Sequence, residues 1–203
     1  MKIPLRLLDW HKVKKTGRGY SWSELTVVRR LPSIYDSEGI HSLLNIGFRE
    51  YSNRRKRWWI DICRANQIDW HILEIFPANV ESYQAQCPKE DRHRITCGDV
   101  RNIEQLFQRP FDVMMHWHGP EHLSKSDFLD TLPKMEAMTR KLLILGCPNG
   151  PEAQGAVYGN TNEMHVSFWK PAEFQALGFE TEIVIEKKLG HISAFKRMHG
   201  SLK

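Results

Sequence analysis

The sequence predicts an α/β fold: a three-layer sandwich with a mostly parallel, seven-stranded sheet and a C-terminal antiparallel hairpin strand. Three observations predict it. Short apolar runs alternate with helix-length amphipathic stretches, the order expected when parallel strands are joined by helical crossovers. The fourth run, "FDVMMHW", is apolar almost throughout, as a strand covered by helices on both faces should be. The chain then closes on "FETEIVIEK" and "HISAFKR", two strand-like runs joined by a tight turn at Leu189-Gly190, which add a hairpin.

The elements follow in order. A first strand over Leu43–Ile46 runs into Gly47, and a basic, aromatic helix follows over about Arg54–Asn66. Trp70–Phe76 is the second strand; Pro77 opens a helix over Ala78–Gln86, because a first helical position needs no N–H. His93–Asp99 gives a short third strand and "NIEQLFQ" a short helix. Phe111–Trp117 is the fourth strand. "SKSDFLDTLPKMEAMT" is a helix capped by Ser124, in which Pro133 predicts a kink or a break between two segments. Lys141–Pro148 is the fifth strand. "NGPEAQGAVYGNTNEMH" reads as a long polar surface loop, a type that is often functional. "KPAEFQAL" is a last short helix, which Gly178 terminates.

A length of 203 residues suits one domain, with 1–40 as an N-terminal lid or extension and 41–203 as the core. Hydrophobic residues are 41% and charged residues 26%, ordinary for a globular protein. No run approaches the roughly 18 apolar residues of a spanning helix, and the start "KIPLRLLDWHKVKK" is too charged for a signal peptide. The expectation is a soluble cytoplasmic protein with no membrane partner. Cys63, Cys87, Cys97 and Cys147 form no CxxC pair, so they read as scattered reduced thiols. The net charge of +5 concentrates in "HKVKKTGRGY" and "NRRKRWW". Arginine beside tryptophan can hold a nucleic acid strand, but a solvated helix face with one tryptophan turned inward is favoured over it.

Neither GxGxxG nor GxxxxGK[ST] occurs, which removes the main support for dinucleotide and P-loop readings. Yet Gly47, Glu74, Asp99 and His116 to His118 all fall at or just after predicted strand ends, where open parallel sheets bind ligands. With "LLNIGF", "ILEIFPANVESYQ", "ITCGDVRNI", "FDVMMHWHGPEHL", "KLLILGCPNG" and "HVSFWKPAEFQALGFE" in this order, the chain resembles the Rossmann-like class I S-adenosylmethionine-dependent methyltransferases over about residues 41–197. The resemblance implies S-adenosyl-L-methionine as cofactor and methyl transfer to a small-molecule or modest-sized acceptor. It places Asn45, Gly47, Phe48, Arg49, Glu50, Glu74, Ile75, Asp99, Val100 and His116 around the cofactor. A carboxylate at Glu74 can accept from both ribose hydroxyls, though an acid there also suits a helix start. Asp99 can accept from the adenine amino group or cap the next helix. The family's usual second and third glycines are missing. Phe48, Arg49 and Glu50 therefore narrow the room for the methionine part, with Arg49 available to its carboxylate and Glu50 to its ammonium.

"HWHGPEH" sets His116, His118, Glu121 and His122 within seven residues. Histidine with carboxylate suits metal, but neither HExxH nor its inverted form is present, so no metal is expected. The segment reads instead as the floor between cofactor and acceptor, with His118 and then His116 as proton acceptors. Tyr20, Trp117, His118, Asn149 and His165 are the expected acceptor contacts, and Arg18, Gly19 and Trp22 join Tyr20 in the lid. A catalytically degenerate binding protein and a nucleic-acid (RNA) methyltransferase or binder are the alternatives.

Overall fold

The computed structural model describes residues 39–48, 51–52, 58–184 and 190–198. It contains one seven-stranded sheet: β1 (Ser42–Ile46), β2 (Asp69–Glu74), β3 (Ile95–Cys97), β4 (Phe111–Trp117), β5 (Thr139–Pro148), β6 (Glu180–Val184) and β7 (His191–Arg197). The spatial order is β3-β2-β1-β4-β5-β7-β6. β7 enters antiparallel between β5 and β6, and β1 to β5 pair in parallel. The predicted architecture is present, with the reversed strand set inside the sheet rather than at its margin.

Strand alternation builds two cores. Leu43, Val113, Met115, Leu142 and Ile144 face one side, where Trp59, Ile60 and Cys63 of α1 (Trp58–Asn66) and Tyr83 of α2 (Pro77–Gln86) cover them. Leu44, Ile46, Met114, Leu143 and Leu145 face the other side. There they meet Ile103 of α3 (Ile103–Leu106), Phe128, Leu132 and Met135 of α4 (Lys125–Ala137), and Phe174 of α5 (Pro171–Ala176). Successive residues of one strand thus serve opposite layers, which is why the central stretches of β4 (Val113–Met115) and β5 (Leu142–Leu145) are continuously apolar.

Several boundaries differ from expectation for identifiable reasons. The third strand is shorter because Lys89–Arg94 winds into a 3-10 turn. There the buried Asp91 pairs with Arg64 and Arg94. Pro133 neither breaks α4 nor divides it. It lies on the exposed face, and the carbonyl its missing N–H would have bonded belongs to Leu129, a residue 46% exposed, so water can replace the lost donor. Ser124 caps α4 as expected, its Oγ accepting from Asp127 N at 3.0 Å. The turn at Leu189, the lid residues Arg18, Gly19, Tyr20 and Trp22, and the basic segment at 53–57 lie outside the described residues. The four cysteines are free thiols. Among the described residues no helix is long and apolar enough to cross a membrane.

Candidate functional site

β1 is flanked by β2 on one side and β4 on the other, so the strand order reverses between β1 and β4. A crevice opens at the carboxyl ends of strands at such a switch point. Here it is a cavity of about 750 Å³, within the usual range for small-ligand sites. Asn45, Gly47, Phe48, Glu74, Ile75, Asp99, Val100, His116, Trp117, His118 and His165 all line it. Arg49 and Glu50 lie outside the described residues. Asn149 is not in the lining: its backbone bridges Trp169 and its N–H donates to Gly190 O.

The loop after β1 departs from expectation at Phe48. Gly47 has φ +84°, a left-handed conformation that favours glycine, and a Cβ there would meet nothing within 4 Å among the described residues. The turn drops the Phe48 ring into the core rather than into the cavity. The residue is buried, edge-on to Trp59 at 6.1 Å and to Tyr83 at 5.7 Å. Phe48 therefore does not narrow the crevice with its ring. Its backbone N–H donates to Glu74 Oε2 at 2.7 Å, and Asn45 Nδ2 donates to Gly47 O at 2.7 Å.

Glu74 is 5% exposed at the end of β2. Its Oε1 accepts from Phe76 N at 2.8 Å while Oε2 takes Phe48 N, and the Asn79 side chain adds a third donor to the carboxylate, whose four lone-pair positions are thus not all taken. Burial raises the Glu74 carboxyl above the ordinary range, and the donated N–H bonds only partly offset it. Asp99 caps the 3-10 turn Val100–Asn102 through Arg101 N at 2.9 Å and pairs with the Arg101 guanidinium. Burial raises its carboxyl, but the bonds from Arg101 outweigh that and hold it below the ordinary range. Val100 is buried in the second core and Ile75 is partly exposed at the rim.

His116 ends the buried part of β4, with Nδ1 buried and unpartnered. Burial lowers it to about 4, so it is neutral near pH 7. Its ring lies over Gly119: a Cβ there would stand 2.0 Å from the ring, so only glycine fits. Gly146 likewise admits the Trp117 indole, whose ring atoms lie 2.5 to 2.8 Å from the place of a Cβ. His118 takes φ +53°, and its Nδ1 donates to Glu121 Oε1 at 3.3 Å. Burial raises the Glu121 carboxyl, but His118 and His122 more than compensate and keep it below the ordinary range.

The far wall joins two distant segments. The 3-10 turn Pro120–His122 receives Val166 N (2.9 Å) and Ser167 N (3.2 Å) on Glu121 O, and Ser167 Oγ and Trp169 Nε1 on Pro120 O. These bonds bring His165 against His122, with ring centroids 5.1 Å apart. The sequence reading missed His191, the first residue of β7. It lines the cavity, stacks on Trp117 at 4.8 Å, and has both ring nitrogens buried without a partner among the described residues. Burial lowers it to about 3. The only prior signal was a polar residue opening an apolar strand.

No protein-family model and no curated protein matches the chain. Solved structures do. A SAM-dependent methyltransferase from Archaeoglobus fulgidus matches 93% of this chain and 100% of its own, with 15% identity and TM-score 0.55. Magnesium protoporphyrin IX methyltransferase from Synechocystis PCC 6803, with bound SAM, matches 94% of this chain and 84% of its own, with 11% identity and TM-score 0.54. An O-methyltransferase family protein from Burkholderia thailandensis matches 90% of this chain and 59% of its own, with 10% identity and TM-score 0.53. The fold is that of the class I SAM-dependent methyltransferases.

Proposed function

From this fold and this crevice we propose that the chain is an S-adenosylmethionine-dependent methyltransferase acting on a small-molecule or modest-sized acceptor. Glu74 carries the reading: a buried carboxylate at the end of β2, fixed by two backbone N–H groups and standing in the crevice wall with acceptor capacity for a further donor. That geometry suits the paired hydroxyls of a ribose. Glu74 binds the diol, Ile75 and Val100 flank the adenine, and Asp99 edges its amino group. The open space beside Gly47 takes the methionine part. The cofactor supplies a sulfonium methyl when bound.

The remaining chemistry belongs to the chain's histidines. His118 donates Nδ1–H to Glu121, which leaves Nε2 as the acceptor for a proton leaving the nucleophile. His116, neutral and held against Gly119, fixes the floor. Trp117 and His165 border the acceptor space, so alignment for in-line displacement is set by rigid strand ends on one side and by the 149–165 loop on the other. S-adenosylhomocysteine should raise the melting temperature in a concentration-dependent way, because a ligand bound only to the native state stabilises it. No rise at millimolar ligand would refute the proposal and leave the degenerate binding-protein reading.

A further inference from the structure

We propose that Glu121, His122 and His165 form a site for a first-row divalent transition-metal ion in the wall of the cavity. One ligand atom from each residue lies within 4.8 Å of the others. Glu121 is 2% exposed, and its Oε2 is buried with no partner among the described residues. A buried carboxylate oxygen without a donor is costly unless a cation or a proton meets it. Its other oxygen is already held by His118.

The two imidazoles are anchored through Nδ1. His122 Nδ1 lies 3.1 Å from Met164 O, and His165 Nδ1 lies 2.6 Å from Glu152 O. A carbonyl can only accept, so both Nδ1 atoms carry the proton and both Nε2 atoms present a lone pair. Anchoring one ring nitrogen on a carbonyl while the other binds metal is the usual outer-shell arrangement. Bonds of about 2.0–2.2 Å to one ion set donors roughly 3–4 Å apart, so modest turns of the two half-buried rings close the site. Two nitrogens and one oxygen favour manganese, iron, cobalt or zinc over magnesium and calcium, which prefer oxygen alone. Three protein donors leave coordination positions open to a ligand from outside. The proposal departs from the expectation of no metal, which rested on local spacing.

Titration of the full chain with CoCl2, followed by calorimetry and by visible absorption, tests the site. One Co2+ should bind per chain, with the absorption of nitrogen- and oxygen-ligated cobalt. His165→Ala, a loop substitution, should weaken binding at least about tenfold. Glu121→Gln should do the same, while His93→Ala, an exposed histidine outside the cavity lining, should leave it unchanged. Absence of stoichiometric binding, or equal affinity in His165→Ala, would overturn the proposal. S-adenosylhomocysteine is titrated separately: a chain that binds cobalt but not this ligand keeps the metal site and loses the methyltransferase reading.

Discussion

Replacing Glu74 with glutamine keeps the shape of the side chain and removes half of its acceptors. In the structure Oε2 accepts from Phe48 N and Oε1 from Phe76 N, at 2.7 and 2.8 Å. A glutamine in either orientation sets its NH2 against one of these N–H groups. One bond is lost and a buried donor is left unsatisfied, a cost of about 1–3 kcal/mol. For a domain of this size that lowers the melting temperature by roughly 2–4 °C per kcal/mol. Binding suffers separately, because one ribose hydroxyl faces a donor in place of a charged acceptor. A charge-assisted bond is worth about 1.5–3 kcal/mol, so the Kd for S-adenosylhomocysteine should rise roughly 10- to 150-fold. Urea unfolding gives the first quantity and calorimetry the second, with Glu90→Gln, an exposed acid of the 3-10 turn after α2, as the unchanged control. A loss of stability with unaltered affinity would refute the ribose role of Glu74. Unaltered stability would refute the bonding that fixes the loop after β1.

Three further outcomes follow from the packing and the charges. Phe48→Ala removes a buried ring edge-on to Trp59 and Tyr83, and should cost about 3–5 kcal/mol in urea unfolding; a surface-like value below about 1 kcal/mol would mean the ring lies in the crevice after all. Gly119→Ala would set a Cβ 2.0 Å from the His116 ring and should cost about 1–3 kcal/mol, whereas Gly155→Ala, with open space around it, should be neutral by the same measurement. His71, which contacts Thr96 Oγ1 and is partly buried against the Phe107 ring, is lowered by burial to about 4. The unfolded chain, with an ordinary histidine near 6.5, takes up this proton first. Its contribution to stability is therefore full above about pH 6.5 and declines as pH falls towards 4, and His71→Gln should flatten the melting temperature over that window.

The strand ends were legible in the sequence because two patterns coincide there. Short, mostly continuous apolar runs mark the strands, and the polar or glycine residues at or just after their ends, Gly47, Glu74, Asp99 and His116, interrupt those runs. The direction of Phe48 was not legible. The φ of Gly47 redirects the chain, and no sequence period extends through a left-handed residue. Pro133 predicts a kink or a break, and the helix runs through it unbroken, because local chemistry cannot say that it falls on the solvent face of α4. The meeting of His165 with Glu121 and His122 was hidden for a third reason. It depends on backbone bonds between the Pro120–His122 turn and residues 166–169, segments more than forty positions apart.

The 149–165 loop is braced mainly by itself. Gln154 Nε2 donates to Glu163 O, His165 N donates to Gln154 O, and Val157 and Asn160 form a two-residue bridge. Backbone bonds tie it to the frame at its two roots, where Asn149 N and Gly150 N hold Gly190 O and Trp169 O, and Val166 N holds Glu121 O. The crevice thus has two makers with separate loyalties. The strand ends are committed to the cores beneath them and tolerate little revision. The loop is joined to the sheet at both roots, and Gln154, Asn160, Asn162 and Glu163 bring its own chemistry to the crevice that Glu74 also lines. Variation in what this scaffold accepts would accumulate there, and a loop transplanted between relatives of the fold would carry one wall of the pocket with it as a unit.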